Sequence, residues 1–320
     1  MMIVFWTIVF IAALIALVKG ADWLIGGAER IGLAVGMSSF IIGVTIVAIG
    51  TSFPELIASI SALMKGVPEV IVANAVGSNI TNILLVIGLS ALIGRQLSVE
   101  KNLIDLDLPL LAAGTGIFLV VAWDGTINPL ESIVLVLNFA VYLVYTVTQR
   151  DRTVVHLPEE EISKEEQKHP KRYIKKDIVL IICGAASLAL GAHFLIDSII
   201  VFSTLLGYST GLITITAVAL GTSLPELAVS ARAVIQGKTE VAVGNIFGSN
   251  VFNILMVVGV PGIFSTLPLD EQTLAVGVPV LALATFLFVI SGISRCIHAW
   301  EGSFYLSLYI LFLAKVFGLF

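Results

Sequence analysis

The sequence predicts an all-α integral membrane protein with ten transmembrane helices, arranged as two inverted five-helix repeats. The first observation behind this prediction is the composition: 58% of the residues are hydrophobic, 12% are charged and the mean hydropathy is +1.06. Such a chain lies outside the range of soluble proteins and must be solvated mostly by lipid. The second observation is a series of ten long apolar segments, and the third is an internal duplication of residues 43–88 at 214–259.

The apolar segments have the length that a helix needs to cross a bilayer. They are too long and too continuously apolar for the strands of a membrane barrel, and a helix satisfies its backbone groups without a partner in lipid. The segments lie near 2–28, 38–64, 69–93, 104–122 and 129–148, and then near 175–203, 210–236, 240–264, 272–293 and 301–319.

The duplication keeps one register throughout. Glu226 follows Glu55 by 171 positions and Asn253 follows Asn82 by the same number. By direct count roughly half of the aligned residues are identical, which identifies a repeated structural unit. Five spans separate the two copies, and because five is odd the second copy enters the membrane inverted relative to the first. Inverted repeats bring their equivalent sites together at the bilayer midplane.

The chain divides into a first repeat at 1–148, a linker at 149–176 and a second repeat at 177–320. The linker is rich in charge and has no apolar periodicity, and it is too short for a regulatory domain. Basic residues are retained in cytoplasmic loops, so their distribution predicts a cytoplasmic linker, both termini outside and a multi-pass location in the cell membrane. The basic residues of the predicted inner side are Arg30, Arg95, Lys101, the eight between Arg150 and Lys176, Lys238 and Arg295, and the opposite side offers Lys65.

Other classes of protein are disfavoured. The net charge of −5 offers no basic surface for nucleic acid. Cys183 and Cys296 fall on different spans, so no disulfide framework is expected, and we expect both to be buried small hydrophobes. Asp22 and Asp197 lie toward span ends, where structural pairing is expected. We expect no enzymatic activity, no cofactor and a functional monomer.

Each copy carries one glutamate within an apolar helix, and an ionisable group at that depth is costly unless it has partners. Thr51 lies four residues before Glu55, on the same helix face, and the second copy repeats this spacing. Gly50 loosens the first helix, and Pro54 cannot donate the hydrogen bond that would continue it. Carbonyl groups near Ala48 are therefore expected to be available as ligands.

A second polar helix follows each glutamate motif. Spacing of four places its asparagines and serine on one stripe, where they can bind an ion or join helices by hydrogen bonds. We favour the ligand role for Ser78, Asn82, Ser249 and Asn253, and weigh both roles equally for Asn79 and Asn250. The complete polar sets are Asn74, Ser78, Asn79 and Asn82 in the first copy, and Asn245, Ser249, Asn250 and Asn253 in the second.

All of these candidate ligands are oxygen donors, and neither motif contains histidine. Hard cations such as Ca²⁺ take about 6 to 8 oxygen ligands, whereas zinc and copper prefer histidine or cysteine. Two ionised glutamates carry a charge of −2, which one Ca²⁺ or several monovalent ions can neutralise. An empty site of this charge is expensive to bury, so the composition of the site favours exchange of one ion for another.

With these motifs, GTSFPE and GTSLPE followed by VGSNITN and FGSNVFN, the chain resembles the cation/calcium antiporter superfamily, and most closely its sodium/calcium exchangers. The resemblance covers all ten spans and implies Na⁺/Ca²⁺ antiport by alternating access, with electrogenic Ca²⁺ extrusion driven by Na⁺ entry. It implies Glu55 and Glu226 as ligands of both ions. The remaining implied ligands are Thr51, Ser52, Thr222 and Ser223 at flanking sodium positions, Ser78, Asn82, Ser249 and Asn253, and the carbonyls of Ala48 and Ala219.

Three alternatives remain open. Glutamates in a partly apolar site can carry protons, so the same family resemblance leaves Ca²⁺/H⁺ antiport as the second candidate. Thr51 and Thr222 favour sodium, because the proton-coupled relatives usually have asparagine there, and Asn253 argues against potassium co-transport. An intramembrane hydrolase would need a nucleophile with a base, and a passive channel would show no dependence on a counter-ion.

Overall fold

The computed structural model describes ten helical spans that follow the predicted order. The described residues are 2–34, 37, 39–64, 66–99, 108–148, 170–205, 221 and 223–319. Lys65, Lys101, most of the predicted linker and the first half of the predicted seventh span therefore lie outside the described residues.

The first repeat contains five spans, two of which are composite. The second span joins α2, a π-helical segment π1 and α3, and the third joins α4, π2 and α5. The bounds are α1 Met2–Ala34, α2 Ser39–Ile42, π1 Gly43–Val47, α3 Ala48–Met64, α4 Glu69–Ile80, π2 Thr81–Ile87, α5 Gly88–Gly94, β1 Gln96–Ser98, α6 Leu108–Val121, β2 Thr126–Ile127 and α7 Pro129–Thr148.

The second repeat has the same plan. Its eighth span joins α10, π3 and α11, and its ninth joins π4 and α12. The bounds are α8 Pro170–Leu205, α9 Leu224–Ile235, α10 Thr239–Phe252, π3 Asn253–Val257, α11 Gly259–Gly262, β3 Leu267–Pro268, π4 Thr273–Gly277, α12 Val278–Ile293, β4 Cys296–His298 and α13 Ala299–Val316.

Six of the helices within the described ranges are long and apolar enough to cross a membrane. The outer helices expose large apolar side chains, including Ile8 and Ile15 on α1 and Val141 and Val144 on α7. By contrast, α10 is buried continuously from Val241 to Phe252. A bundle in lipid is expected to have apolar side chains on its outer surface and its polar side chains on buried inner helices. The fold is thus an all-α membrane bundle, which confirms the predicted class.

Two short antiparallel ribbons are related to each other by the symmetry of the inverted repeats. In one ribbon β1 pairs with β4, and Gln96 lies opposite His298; in the other β2 pairs with β3, and Ile127 lies opposite Leu267. Adding 171 to 96 gives 267, and subtracting 171 from 298 gives 127. Each ribbon therefore contains one strand from each repeat, in the same register. Because the repeats are inverted, the two ribbons lie at opposite ends of the bundle.

The close contact between α1 and α8 follows the same symmetry, because each half of the contact has a counterpart 171 positions away in the other repeat. A Cβ added at Gly20 would lie 2.9 Å from the Gly184 carbonyl oxygen, and one added at Gly191 would lie 3.0 Å from that of Ala13. The two contacts are equivalent, because Gly191 is the counterpart of Gly20 and Ala13 is the counterpart of Gly184. At the centre of this interface the Ser187 hydroxyl donates to the Ala16 carbonyl at 2.9 Å, and these residues are each other's counterparts. Small residues permit this backbone approach.

Ion pairs join one end of α1 to its neighbours. Asp22 accepts from Arg232 at 2.6 Å and from Gln236 at 3.0 Å, and Glu29 pairs with Lys238. Arg30 pairs with Asp177 of α8 at 2.7 Å. The structural pairing expected for Asp22 is confirmed.

On α8, His193 lies 3.4 Å from Asp197, which also has the expected structural partner. The expected burial of the cysteines is wrong: Cys183 is exposed and Cys296 is partly exposed. Cys183 lies on α8, where an apolar thiol on the outer side of a membrane helix needs no protein cover. Cys296 lies in the short strand β4 at the end of the bundle, outside the spans.

Candidate functional site

The two motif glutamates are completely enclosed. Glu55 lies in the middle of α3 with 1% of its surface exposed, and Glu226 lies in the first turn of α9 with none exposed. Pro225 occupies the beginning of α9, where its missing N–H costs no helical hydrogen bond, and the positive end of the helix dipole favours a carboxylate. In the first copy α3 runs through Gly50 and Pro54 without a break. The loosened backbone lies one turn earlier, in π1.

The carboxylate of Glu226 is held by residues of both copies. The Ser52 hydroxyl donates to Oε1 of Glu226 at 2.9 Å, and the Ser249 hydroxyl approaches the same oxygen at 3.5 Å. Ser52 belongs to α3 of the first copy, whereas Ser249 belongs to α10 of the second. The predicted meeting of the two motifs at one place is therefore visible in their hydrogen bonds.

Three of the four glutamate oxygens have no hydrogen-bond partner among the described residues: both oxygens of Glu55 and Oε2 of Glu226. The Ser223 hydroxyl, which is the counterpart of Ser52, is buried and equally unpartnered within the same part of the chain. A buried carboxylate is stable only with a partner that compensates for the lost water. The site thus contains buried carboxyl oxygens that the described residues leave unpaired, and oxygen donors of this kind suit a hard cation.

Thr51 connects the predicted ligands of α3 with those of α10. Its Oγ1 is 3.1 Å from the Ala48 carbonyl oxygen, 3.1 Å from Oδ1 of Asn245 and 3.4 Å from the Ser249 hydroxyl. Thr51 and Ser249 are both fully buried, and Ala48 has no exposed surface. Two other predicted ligand positions, Ala48 of the first copy and Ser249 of the second, therefore lie within hydrogen-bonding distance of the Thr51 hydroxyl.

Asn82 and Asn253 occupy equivalent places at the start of the π-helical segments π2 and π3. Both are at most 1% exposed, and neither amide has a hydrogen-bond partner in the described ranges. A buried polar group without a partner costs about 1–3 kcal/mol, so a bound ion or water is the expected partner. Single π-helical turns are frequent at functional sites, where the extra residue re-aims the following side chains.

The remaining predictions fall into two groups. Ser78 is buried in α4, on the polar stripe that leads to Asn82. Ala219 and Thr222 lie outside the described residues, so the second-copy equivalents of Ala48 and Thr51 stay predictions. Asn79 donates to the Asn250 carbonyl at 3.0 Å, which supports its interhelical hydrogen-bonding role.

Asn245 and Ser230 are not among the ligands expected from the sequence. In the structure, Nδ2 of Asn245 donates to the Ser230 hydroxyl at 3.0 Å, and Oδ1 of Asn245 faces Thr51. The available signal was the helical spacing: Asn245 lies one turn before Ser249, and Ser230 lies one turn after Glu226. That spacing places them on the faces that meet at the site but does not say which partner each would choose.

Comparisons with known proteins identify the family of the chain. Residues 5–148 and 176–318 match the family described as sodium/calcium exchanger protein. The chain is 30% identical over 344 aligned residues to the sodium/calcium exchanger MaX1 of Methanosarcina acetivorans, with 97% of this chain and 98% of that protein covered. It is 31% identical over 291 residues to the inner membrane protein YrbG of Escherichia coli, with 89% and 87% covered.

The fold is also similar to that of a solved exchanger. A structure of the sodium-calcium exchanger NCX_Mj soaked with 10 mM Na⁺ and zero Ca²⁺ superposes with a TM-score of 0.83 at 32% identity, over 98% of this chain and 99% of that one. The duplicated glutamate motifs, the inverted spans and these matches have one explanation: the chain belongs to the sodium/calcium exchanger family.

Proposed function

We propose that this protein is a secondary antiporter that exchanges Na⁺ for Ca²⁺ by alternating access and expels Ca²⁺ as Na⁺ enters. The observation that carries the proposal is the pair of fully buried glutamates, Glu55 and Glu226, with three unpartnered carboxylate oxygens within the described structure. The hydroxyl oxygens of Thr51 and Ser249 lie beside this pair, and the buried, unpartnered amide of Asn253 is a further candidate donor. The names of MaX1 and NCX_Mj support the same pair of ions.

The charge of the site supports antiport over uniport. With both glutamates ionised the site carries −2, and moving it through the membrane without a cation would leave that charge unpaired in a low-dielectric surrounding. One Ca²⁺ neutralises the charge, and so do two monovalent ions. The loaded forms are therefore the ones that cross, and the empty form stays at either face of the membrane.

We propose that the exchange moves net charge. The oxygen set is large enough for more than two Na⁺, and Na⁺ beyond the second adds positive charge to the loaded site. A net movement of one charge is worth about 2.3 kcal/mol per 100 mV of membrane potential. In vesicles loaded with Na⁺, an inside-positive potential should speed Ca²⁺ uptake and an inside-negative potential should slow it.

The proposed topology gives the orientation of the protein, and the ion gradients give the direction of exchange. We place the linker at 149–176 on the cytoplasmic side and both termini outside, because basic residues concentrate on the linker side. The repeats at 1–148 and 177–320 each supply ligands to one site, so the monomer is the proposed functional unit. A cell with high external Na⁺ would then drive Ca²⁺ outward.

The second candidate is Ca²⁺/H⁺ antiport at the same site. The unpartnered oxygens of Glu55 favour it, because a buried carboxylate can be neutralised by a proton as well as by a metal ion. Sodium is preferred because Thr51 supplies a neutral hydroxyl beside the carboxylates, which suits Na⁺ and has no role in binding a proton.

The test is ⁴⁵Ca²⁺ uptake into proteoliposomes loaded with Na⁺, with K⁺ or with acid, compared in parallel. Uptake that requires internal Na⁺ and is lost in Glu55→Gln and Glu226→Gln supports the proposal. Glu271→Gln serves as a control, because Glu271 is an exposed glutamate in the first helical turn of the ninth span, outside the site. Uptake that follows the pH gradient without Na⁺ would replace the proposal with Ca²⁺/H⁺ exchange.

A further inference from the structure

Asn245 bridges the two helices that carry the glutamates, although it is not one of the proposed ion ligands. It is fully buried in α10. Its Oδ1 lies 3.1 Å from Oγ1 of Thr51, and its Nδ2 donates to the Ser230 hydroxyl at 3.0 Å. Thr51 lies one turn before Glu55 on α3, and Ser230 lies one turn after Glu226 on α9. One amide therefore spans from the helix of one glutamate to the helix of the other.

The orientation of this amide follows from its two partners. The amide oxygen can only accept and the amide nitrogen can only donate. With Nδ2 donating to Ser230, Oδ1 of Asn245 faces the Thr51 hydroxyl as an acceptor. Thr51 has a single proton, and Oδ1 of Asn245 and the Ala48 carbonyl oxygen both lie 3.1 Å from its Oγ1. Neither of these two acceptors is a glutamate oxygen.

A hydroxyl has one proton and two lone pairs, and only the lone pairs bind a cation. We propose that Asn245 is a positioning residue that holds the Thr51 hydroxyl as an acceptor-only ligand and thereby determines how tightly the site binds Na⁺. This inference rests on the proposed function, since it assigns Thr51 to Na⁺. Ca²⁺ depends less on Thr51, because its double charge makes its attraction to the two carboxylates the larger part of its binding.

Within the described residues, the contact between amide and serine that forms one end of this bridge is not repeated in the first copy. The counterparts of Asn245 and Ser230 are Asn74 and Ser59, 171 positions earlier. The Ser59 hydroxyl is buried and has no hydrogen-bond partner within the described residues, and Asn74 is only partly buried. The positioning role therefore belongs to Asn245, and Ser59 provides a matched control in the same type of surrounding.

The experiment measures ion-induced thermal stabilisation of the purified protein, because a ligand at free concentration c that binds the folded state stabilises it by RT ln(1 + c/Kd) and so raises the melting temperature. The apparent Na⁺ and Ca²⁺ affinities are compared for the unmodified protein, Asn245→Ala, Thr51→Ala and the double variant. For Asn245→Ala we expect the half-saturating Na⁺ concentration to rise about 3- to 10-fold, as for the loss of one hydrogen bond. The Ca²⁺ affinity should change by less than about 2-fold, since the carboxylates are intact.

The double variant shows whether Asn245 affects Na⁺ binding through the Thr51 hydroxyl or only through its packing in the protein. If Asn245 acts through Thr51, adding Asn245→Ala to Thr51→Ala causes no further loss of Na⁺ affinity, because coupled residues are not additive. Additive losses, or equal losses for Na⁺ and Ca²⁺, would overturn the inference. If Asn245→Ala does not fold, Ser230→Ala removes the anchor of the amide and should lower Na⁺ affinity in the same direction, while Ser59→Ala should not.

Measurements on the unmodified protein distinguish a failure of the positioning role of Asn245 from a failure of the proposed sodium coupling. Na⁺ stabilisation that is present there and unchanged in the Asn245 and Ser230 variants would contradict the positioning role alone. If Na⁺ does not stabilise the unmodified protein at all, the sodium coupling of the proposed function fails and the inference fails with it.

Discussion

Ser52 of the first repeat donates a hydrogen bond of 2.9 Å to the Glu226 carboxylate of the second repeat. The equivalent donor for Glu55 would be Ser223, but within the described structure neither the Ser223 hydroxyl nor the Glu55 carboxylate has a hydrogen-bond partner. The two halves of the site are therefore related by symmetry in sequence and differ in their hydrogen bonding. The loss of each serine should therefore affect the stability of the protein to a different extent.

Without added cations, Ser52→Ala should destabilise the protein more than Ser223→Ala. Ser52 loses a hydrogen bond to a charged group, which costs about 1.5–3 kcal/mol, whereas Ser223 loses no such bond and should cost less than about 0.5 kcal/mol. Unfolding by sodium dodecyl sulfate in cation-free buffer measures both variants. A larger cost for Ser223→Ala would show that Glu55, and not Glu226, is the carboxylate with the stronger serine contact.

The packing of α10 against the second span should tolerate no side chain at Gly248. A Cβ added there would overlap the Val44 carbonyl oxygen and the Ala48 side chain, both backbone-supported groups that cannot turn away. We expect Gly248→Ala to lower the free energy of unfolding by about 1–3 kcal/mol or to prevent folding.

Gly116 in α6 is the control for this change. A Cβ added at Gly116 meets nothing within 4 Å among the described residues, and alanine favours a helix over glycine. Gly116→Ala should therefore be neutral or slightly stabilising in the same unfolding measurement. Equal behaviour of the two variants would contradict the close contact between α10 and α2–α3.

The pair between Arg30 and Asp177 should respond unequally to removal of its two members. The Asp177 side chain is 7% exposed and that of Arg30 is 43% exposed. Arg30→Gln leaves a nearly buried carboxylate without its cation and should cost about 1–3 kcal/mol, whereas Asp177→Asn leaves an arginine that water can reach and should cost less. Thermal unfolding compares the two, and the reverse order would mean that Asp177 is solvated.

The proposed topology predicts which loops face the cytoplasm. In a background with Cys183→Ala and Cys296→Ala, Ser163→Cys in the linker should react with a membrane-impermeant maleimide only in inside-out vesicles. Trp123→Cys, at an 84% exposed position between α6 and α7, should react only in right-side-out vesicles. Labelling of both positions from the same side would overturn the inverted arrangement of linker and loop.

Much of the fold could be predicted from the sequence because its signals are local. A span needs about 20 consecutive apolar residues, so most helix bounds agree within a few residues, as for the second span, predicted at 38–64 and found at 39–64. The constant offset of 171 also predicted that the two motifs meet, and the hydrogen bond between Ser52 and Glu226 joins them. The particular partners were not predictable, because the equivalent pair of Ser223 and Glu55 makes no such bond in the described residues.

Other features depend on packing and left no comparable signal. The π-helical turn at Asn253 has no sequence signature, because it reflects how the helix adapts to its neighbours. The hydrogen bonds from Asn245 to Thr51 and Ser230 depend on the distances among three packed helices, which the sequence does not contain. The pairing of Asp22 with Arg232 joins residues 210 positions apart, and the sequence could predict only that Asp22 would have a partner.

The most direct test of the account is equilibrium ⁴⁵Ca²⁺ binding to the purified protein, with Na⁺ as competitor and with Glu55→Gln and Glu226→Gln in parallel. If the two glutamates form one site, the protein should bind about one Ca²⁺, which neutralises their charge of −2, and either variant should lose that binding. Na⁺ should displace Ca²⁺ with a steep concentration dependence, because more than one Na⁺ replaces it. Retention of binding in either variant, or indifference to Na⁺, would contradict a shared exchange site between Glu55 and Glu226.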